Sequence, residues 1–471
     1  MSNPKKRVAV TISFSFAIRY LIRTGLVDKM KNFCEPVICI FWNQEDLVNE
    51  LRSKGFEIYV LPETNRSAAY SDLRIKIDYW FKFFKLKSPT ANIEPRYLEK
   101  FKSTKKVIIQ RLREYYNYLL LLLPGASAKL LKKEKAMLIS DTNYNDMLQL
   151  VDELNIDAVF TVTPFHLQED AFLRAADAKN KLMLTSILSF DNIVKRGWVP
   201  VNYQCYMVWN KYNANEIRRI YTKAVELNNN NVHIVGAAQF DFYHQSKYIL
   251  PRNEWLRIVG LPDTNRKIIL YAGGALSLFP QETQFVQHID EAITNGTIPC
   301  NPIILFRCHP VDRIERWKEM FKHSTNIFFD SSWTGNAKMT YTNITDNDIA
   351  KLCSTLFYTD VHINLSSTMT VDGSVFGKPQ IGPGYDEVYP NSKYPLVTYY
   401  YQEFYLPIMQ TKGLAVARNR KELIDYVNEA LQYPDHFTQK SKDIVEAIIT
   451  YSDGKCTERV LKVLHEEIEK D

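Results

Sequence analysis

Short, wholly apolar runs separated by amphipathic stretches recur along most of this chain, and few folds accommodate that rhythm. Residues 8–12 (VAVTI), 37–41 and 57–61 read as buried strands, and residues 43–53 between the last two as a helix, so the first sixty residues already alternate β and α. Strands that follow one another in this way pair in parallel, because each helix between them serves as the crossover and covers the sheet. The rhythm resumes with a helix over 144–154, a strand at 158–162, a helix over 168–178 and strands at 181–188, 206–209 and 233–235. It then starts again after Pro262: a strand at 267–271, a helix over 281–294, strands at 302–306 and 327–330, a helix over 348–353 and a strand at 361–365. The aperiodic stretch GAAQFDFYHQSKYILPRN separates the two series, and the Asn tract at 228–231 reads as a surface turn. The expected fold is α/β, with two doubly wound lobes spanning 1–245 and 246–471.

Between residues 70 and 135 no strand is expected, and a basic, aromatic helical insertion takes its place. It carries sixteen Lys and Arg against six Asp and Glu, a charge of +10, while the whole chain is +6 and the remainder therefore −4. The charge is interleaved with Tyr79, Trp80, Phe81, Phe83, Phe84, Tyr115, Tyr116 and Tyr118. That pairing suits a helix lying on an anionic membrane, with residues 79–87 as the expected contact; the competing reading packs these rings onto the first lobe. No run approaches the roughly 20 apolar residues needed to span a bilayer, and the basic start runs straight into a strand. A cytoplasmic protein follows, with peripheral attachment to the inner face of the membrane as the membrane option. The seven cysteines include no Cys-x-x-Cys pair, which argues against a disulfide framework or zinc site.

The stretch from His362 to Pro379 (HINLSSTMTVDGSVFGKP) concentrates the chemistry. A strand runs into a hydroxyl loop, Ser366-Ser367-Thr368, then into a helix that Ser367 or Thr368 can cap and that Gly377-Lys378-Pro379 stops. Unpaired N–H groups and the helix dipole make such a junction suited to phosphate, with Asp372 one turn in to accept ribose hydroxyls. Two earlier loops of the same lobe follow strands as well: Gly273-Gly274, which permits close approach of backbone to a ligand, and Arg307-Cys308-His309-Pro310, which offers a cation and a titratable donor. Together they suit a nucleoside diphosphate held without metal or other cofactor. Asp346-Asn347-Asp348 reads as a helix cap. There is no GxxxxGK[ST] loop and no GxGxxG, which argues against P-loop nucleotidases and dinucleotide oxidoreductases. In the first lobe, the polar loops around His166 and Asp170 and around Asp191, Asn192 and Lys195 follow strands, at the edge where open α/β sheets bind ligands.

In order, SFDNIVKRG, VWNK, VGAAQFD, RCHP, NLSSTMTVDGSVFGKP and YSDGKCTERV resemble the motifs of bacterial surface-glycan glycosyltransferases of the GT-B fold. They are similar as well to the CDP-glycerol glycerophosphotransferase group and, more distantly, to UDP-GlcNAc 2-epimerases. The resemblance covers residues 158 to 465. It implies two Rossmann-like lobes facing a cleft, an N-terminal one for the acceptor and a C-terminal one for the nucleotide-activated donor. Carried over, Arg307 and His309 would contact donor phosphates, Ser366 to Thr368 would cap them and Asp372 would hold the ribose. The expected activity is metal-independent transfer of a sugar or polyol phosphate to a hydroxyl of a surface-glycan or lipid-linked acceptor, in polysaccharide biosynthesis. Asp191 and His166 are the candidate bases, with Asp170 behind them. The alternatives are an epimerase acting on a UDP-sugar and a non-catalytic basic protein; no nucleic-acid partner is expected.

Overall fold

The structure is a computed structural model that describes residues 4–221, 231–332 and 342–470. Most of the asparagine tract lies outside the described residues. The chain forms two compact units, one of Met1–Ala91, Lys102–Gln239 and Lys455–Asp471, the other of Asn92–Phe101 and Phe240–Gly454.

In the first unit, seven parallel strands lie in the order β3-β2-β1-β4-β5-β6-β7. They are β1 (Arg7–Ile12), β2 (Glu35–Ile40), β3 (Glu57–Val60), β4 (Ala158–Thr161), β5 (Leu182–Ser186), β6 (Cys205–Val208) and β7 (Val232–Ile234). The central strands are buried on both faces, which is why they read as unbroken apolar runs. The core joins Val8, Val10, Ile38, Phe160 and Leu184 to Val460, Val463, Leu464 and Ile468 of the last helix, Cys456–Glu469.

Six parallel strands make the second sheet, in the order β10-β9-β8-β11-β12-β13: β8 (Ile268–Ala272), β9 (Ile303–Arg307), β10 (Ile327–Asp330), β11 (Val361–Asn364), β12 (Gln380–Pro383) and β13 (Leu414–Ala417). Strand order reverses direction beside the first strand of each sheet, between β1 and β4 and between β8 and β11. Such switch points leave a crevice at the carboxyl ends of the strands.

Two segments change sides relative to a single boundary at 245/246. The last helix is amphipathic and completes the first core, while residues 92–101 bury Tyr97 against Phe279 and Tyr399 of the second unit and pair Lys100 with Asp386 at 2.7 Å. Apolar periodicity announces a helix but not which core it will join.

The insertion is helical throughout its regular parts, with Ala68–Trp80, Thr104–Leu122 and Ala126–Asp141 as its long members. Ser67 caps the first of these by accepting from the Tyr70 N–H at 3.0 Å. Phe81 and Leu86 are buried and Tyr79, Trp80, Phe83 and Phe84 half-buried, so residues 79–87 serve largely as packing. The exposed apolar surface lies instead on Thr104–Leu122, a helix with no buried residue. The Asp346-Asn347-Asp348 triplet forms the first turn of the helix Asp346–Tyr358 and not its cap. Thr345 is the cap, accepting from Asp348 N–H while the Asp348 carboxylate accepts from Thr345 N–H.

Candidate functional site

Register brings the second unit's three loops to one edge. Ala272 pairs with Arg307 across β8 and β9 and with Asn364 across β8 and β11, so Gly273, Cys308 and Leu365 all leave the sheet at the same level. The Gly273 N–H donates to the Arg307 carbonyl at 2.9 Å. A Cβ on Gly273 would stand 2.9 Å from Phe306, and one on Gly274 2.6 Å from Phe279, so close packing requires both glycines. Gly274 N–H donates to both oxygens of Glu282 at 2.9 Å. Burial pushes the Glu282 carboxyl up to about 8, against the opposing pull of that N–H, so it is largely protonated at neutral pH. Glu282 was not singled out from sequence; it stands at the cap position of the helix Thr283–Thr294 that follows the glycine loop, where nothing in the pattern marks a carboxylate facing inward.

Arg307 differs most from expectation. It is the last residue of β9, 7% exposed, and its Nη1 is 2.7 Å from Asp330 Oδ2 on neighbouring β10 while Nη2 donates to the Ser332 carbonyl at 2.9 Å. Lys351 Nζ lies 2.5 Å from the other Asp330 oxygen. The guanidinium is thus engaged in a buried cross-strand ion pair inside the sheet. His309 lies beyond the strand, half-buried, its Nδ1 accepting from the Val311 N–H at 3.2 Å.

In the serine loop, Ser366 takes a left-handed conformation with φ of 45°, unusual for a side chain-bearing residue and a sign of a constrained junction. Asn364 Oδ1 accepts from Ser367 N–H at 3.1 Å and from the Thr370 hydroxyl at 2.8 Å, fastening the loop at both ends. Ser367 Oγ accepts from Met369 N–H at 3.2 Å. The following helix, Met369–Ser374, has Thr368 at its cap position with no side-chain cap bond, so Thr368 does not spend its hydroxyl there. Asp372 is 7% exposed and accepts a hydrogen bond from Tyr243 OH.

In the first unit, β1 and β4 stand level through Val10 and Phe160, which sets Ser13 beside Thr163 at the switch point. Glu169 is fully buried there and accepts from the hydroxyls of Ser13, Thr161 and Thr163. Burial pushes its carboxyl up; the hydroxyl donors hold it down. Ser13 Oγ is also 3.3 Å from His166 Nδ1. Since Ser13 gives its one proton to Glu169, it can only accept from Nδ1–H, which leaves the lone pair of His166 on Nε2. Burial brings the imidazole down to about 4, so it is neutral at pH 7. Neither Ser13 nor Glu169 was singled out from sequence; their meeting depends on strands 150 residues apart pairing in register.

Asp170 does not join this group. It is 2% exposed and ion-paired with Arg74, beside Tyr70 OH at 3.3 Å and the Arg174–Glu134 pair, so it anchors the insertion to the helix Asp170–Ala178. Asp191 is half-buried at the cap position of Asn192–Arg196, accepting from Asn192 Nδ2 at 3.0 Å and lying 3.7 Å from Lys195 Nζ.

Among the described residues no helix is long and apolar enough to cross a membrane. No curated protein sequence matches this chain. In fold it is similar to a putative UDP-N-acetylglucosamine 2-epimerase from Listeria monocytogenes, with TM-score 0.57 and 11% identity over 99% of this chain and 97% of that one. It is similar also to UDP-GlcNAc 2-epimerase from Neisseria meningitidis, solved bound to UDP-GlcNAc, with TM-score 0.55 and 9% identity over 98% and 100%. A glycosyltransferase from Rickettsia africae gives TM-score 0.51 and 11% identity over 99% of each chain. Residues 201–466, more than half the chain, match the model of the CDP-glycerol:poly(glycerophosphate) glycerophosphotransferase family. With two parallel Rossmann-like sheets and that match, the chain belongs to this family and is a transferase of the GT-B fold.

Proposed function

We propose that the protein transfers a sugar or polyol phosphate from a nucleotide-activated donor to a hydroxyl of a surface-glycan or lipid-linked acceptor, without a metal at the donor phosphates. The observation that carries this is the level exit of the glycine, His309 and serine loops at the second sheet's switch point. His309 and the hydroxyls of Ser366, Ser367 and Thr368 contact the donor phosphates, where charge builds on the leaving group. Gly273 and Gly274 keep side chains out of the backbone's approach. Arg307 holds β9 to β10 and supplies positive charge from behind the site. Asp372, positioned by Tyr243, takes the ribose hydroxyls.

His166 is the better base candidate of the two bases: its Nε2 carries the lone pair, and Ser13 and Glu169 fix its orientation. Asp191 acts beside it in orienting the acceptor. The helix Thr104–Leu122 is the membrane-facing surface for a lipid-linked acceptor. Ile108, Leu112 and Tyr116 are 53%, 63% and 61% exposed at four-residue spacing, amid Lys105, Lys106 and Arg113.

A binding and turnover panel of CDP-glycerol, UDP-sugars and the free nucleotides tests the reading in the presence and absence of EDTA. Turnover of a nucleotide-activated donor only with an added hydroxyl acceptor, unchanged by chelation, is the expected result. Isomerisation of a UDP-sugar without acceptor, followed by NMR, would replace transfer with epimerisation.

A further inference from the structure

The first sheet bears a second cluster away from the His166 edge. Cys205 is the first residue of β6, so it stands at the amino end of its strand, opposite the edge that carries His166 and Asp191. Met207 pairs with His233 of β7. Side chains two apart on a strand share a face, and so do register partners of parallel strands, so Cys205, Met207 and His233 point the same way. The last helix covers that face. Val460, Val463, Leu464, Glu467 and Ile468 follow the spacing of one helical stripe, and all but Glu467 are core residues packed in the same cluster as Cys205 and Met207. On this apolar face the Glu467 carboxylate falls beside the His233 imidazole and the Cys205 thiol.

The ligand atoms of Cys205, His233 and Glu467 all lie within 4.8 Å of one another. His233 Nε2 is 3.8 Å from Glu467 Oε1 and, though shielded from solvent, has no hydrogen-bond partner among the described residues. Tetrahedral zinc with its usual bond lengths separates thiolate, imidazole and carboxylate donors by about 3.4 to 3.6 Å, so side-chain shifts of about 1 Å close the site. A thiolate, an imidazole and a carboxylate are a donor set suited to zinc and poorly suited to magnesium or calcium. Lys470 Nζ pairs with Glu467, placing a positive charge where a bound cation would compete for the same carboxylate.

We propose that Cys205, His233 and Glu467 bind one thiophilic divalent cation, zinc foremost, which staples the C-terminal helix to β6 and β7 of the first sheet. Binding releases the Cys205 thiol proton to solvent and displaces Lys470 from Glu467. The ligands are far apart in sequence, so no Cys-x-x-Cys or His-x-His spacing signals them.

The test uses the full chain stripped with chelator, titrated with Zn²⁺ by calorimetry and with Co²⁺ by absorption. One equivalent of Zn²⁺, a thiolate-to-cobalt charge-transfer band and a raised melting temperature are expected. The band should vanish in Cys205→Ser and persist in Cys300→Ser, whose thiol is exposed. Affinity should weaken at least tenfold in His233→Ala and in Glu467→Gln. Lys470→Ala removes the competing cation and should bind more tightly, an outcome that loss of folding cannot mimic. Cobalt binding without the charge-transfer band, or an affinity indifferent to His233→Ala and Lys470→Ala, would overturn the proposal. None of these readouts depends on turnover, so they stand apart from the assignment of donor and acceptor.

Discussion

Replacing Asp330 by asparagine probes the charge group that fixes the edge of β9. Asp330 is 2% exposed and takes Arg307 on one oxygen at 2.7 Å and Lys351 on the other at 2.5 Å, so one anion serves two buried cations. Asparagine keeps the shape and removes the anion, leaving both cations desolvated and repelling each other. Arg307→Met instead leaves a neutral Asp330–Lys351 pair. A contact near 4 Å is worth about 4 kcal/mol at an effective dielectric of about 20, and removing one partner of a buried pair costs about 3–5 kcal/mol. Asp330→Asn breaks two pairs at once and should reach about 5 kcal/mol. Arg307→Met forfeits one pair and the Ser332 carbonyl bond without stranding a charge, for about 2–3 kcal/mol, in the range of lost charge-assisted bonds. Urea unfolding of the full chain at pH 7 measures both, with the midpoint and slope read separately. Lys351→Met added to Asp330→Asn should recover part of the loss. Arg307→Met proving as costly as Asp330→Asn would refute the two-cation argument. Nucleotide affinity of the folded Arg307→Met protein then decides its second role: unchanged affinity confines Arg307 to the scaffold.

Glu282 keeps its proton up to about pH 8 in the folded chain but only to its ordinary value of 4.5 when unfolded, so stability should fall as pH rises through that window, by at most about 4–5 kcal/mol. Glu282→Gln should flatten the curve, and parallel curves would remove Glu282 as its source. His166→Asn should lower kcat by about 10²- to 10⁴-fold with donor KM little changed; Ser13→Ala should lower it less while shifting the pH profile, since Nδ1 loses its acceptor. Gly373→Ala would set a Cβ 2.0 Å from His362 Nδ1 and should cost at least about 1–3 kcal/mol, read from the melting temperature. Polar replacements of Ile108, Leu112 and Tyr116 should abolish salt-sensitive co-sedimentation with anionic vesicles without lowering stability, because all three side chains are already exposed. Wild-type protein remaining in the supernatant at low salt would end the membrane reading.

The first sheet and strands β8 to β11 of the second were legible in the sequence because a strand buried on two faces must be apolar along its whole length, and the helix between two such strands must be amphipathic; the short β12 and β13 were not singled out. The loops at their carboxyl ends follow from the same pattern, so Gly273, His309 and Ser366 to Thr368 can be named from the chain alone. Local signals of this kind need only neighbours in the chain. What lies behind those loops was decided by tertiary structure. The type of Arg307 is visible in sequence, but its engagement by Asp330 and Lys351 depends on register between β9 and β10 and on a distant helix. The same holds for Ser13 meeting His166, for the last helix returning to the first core, and for Cys205, His233 and Glu467 converging under it. An amphipathic stripe fixes that a face will be buried; only the packed fold fixes against what, because many apolar surfaces satisfy one stripe and the competition among them is settled by the whole chain.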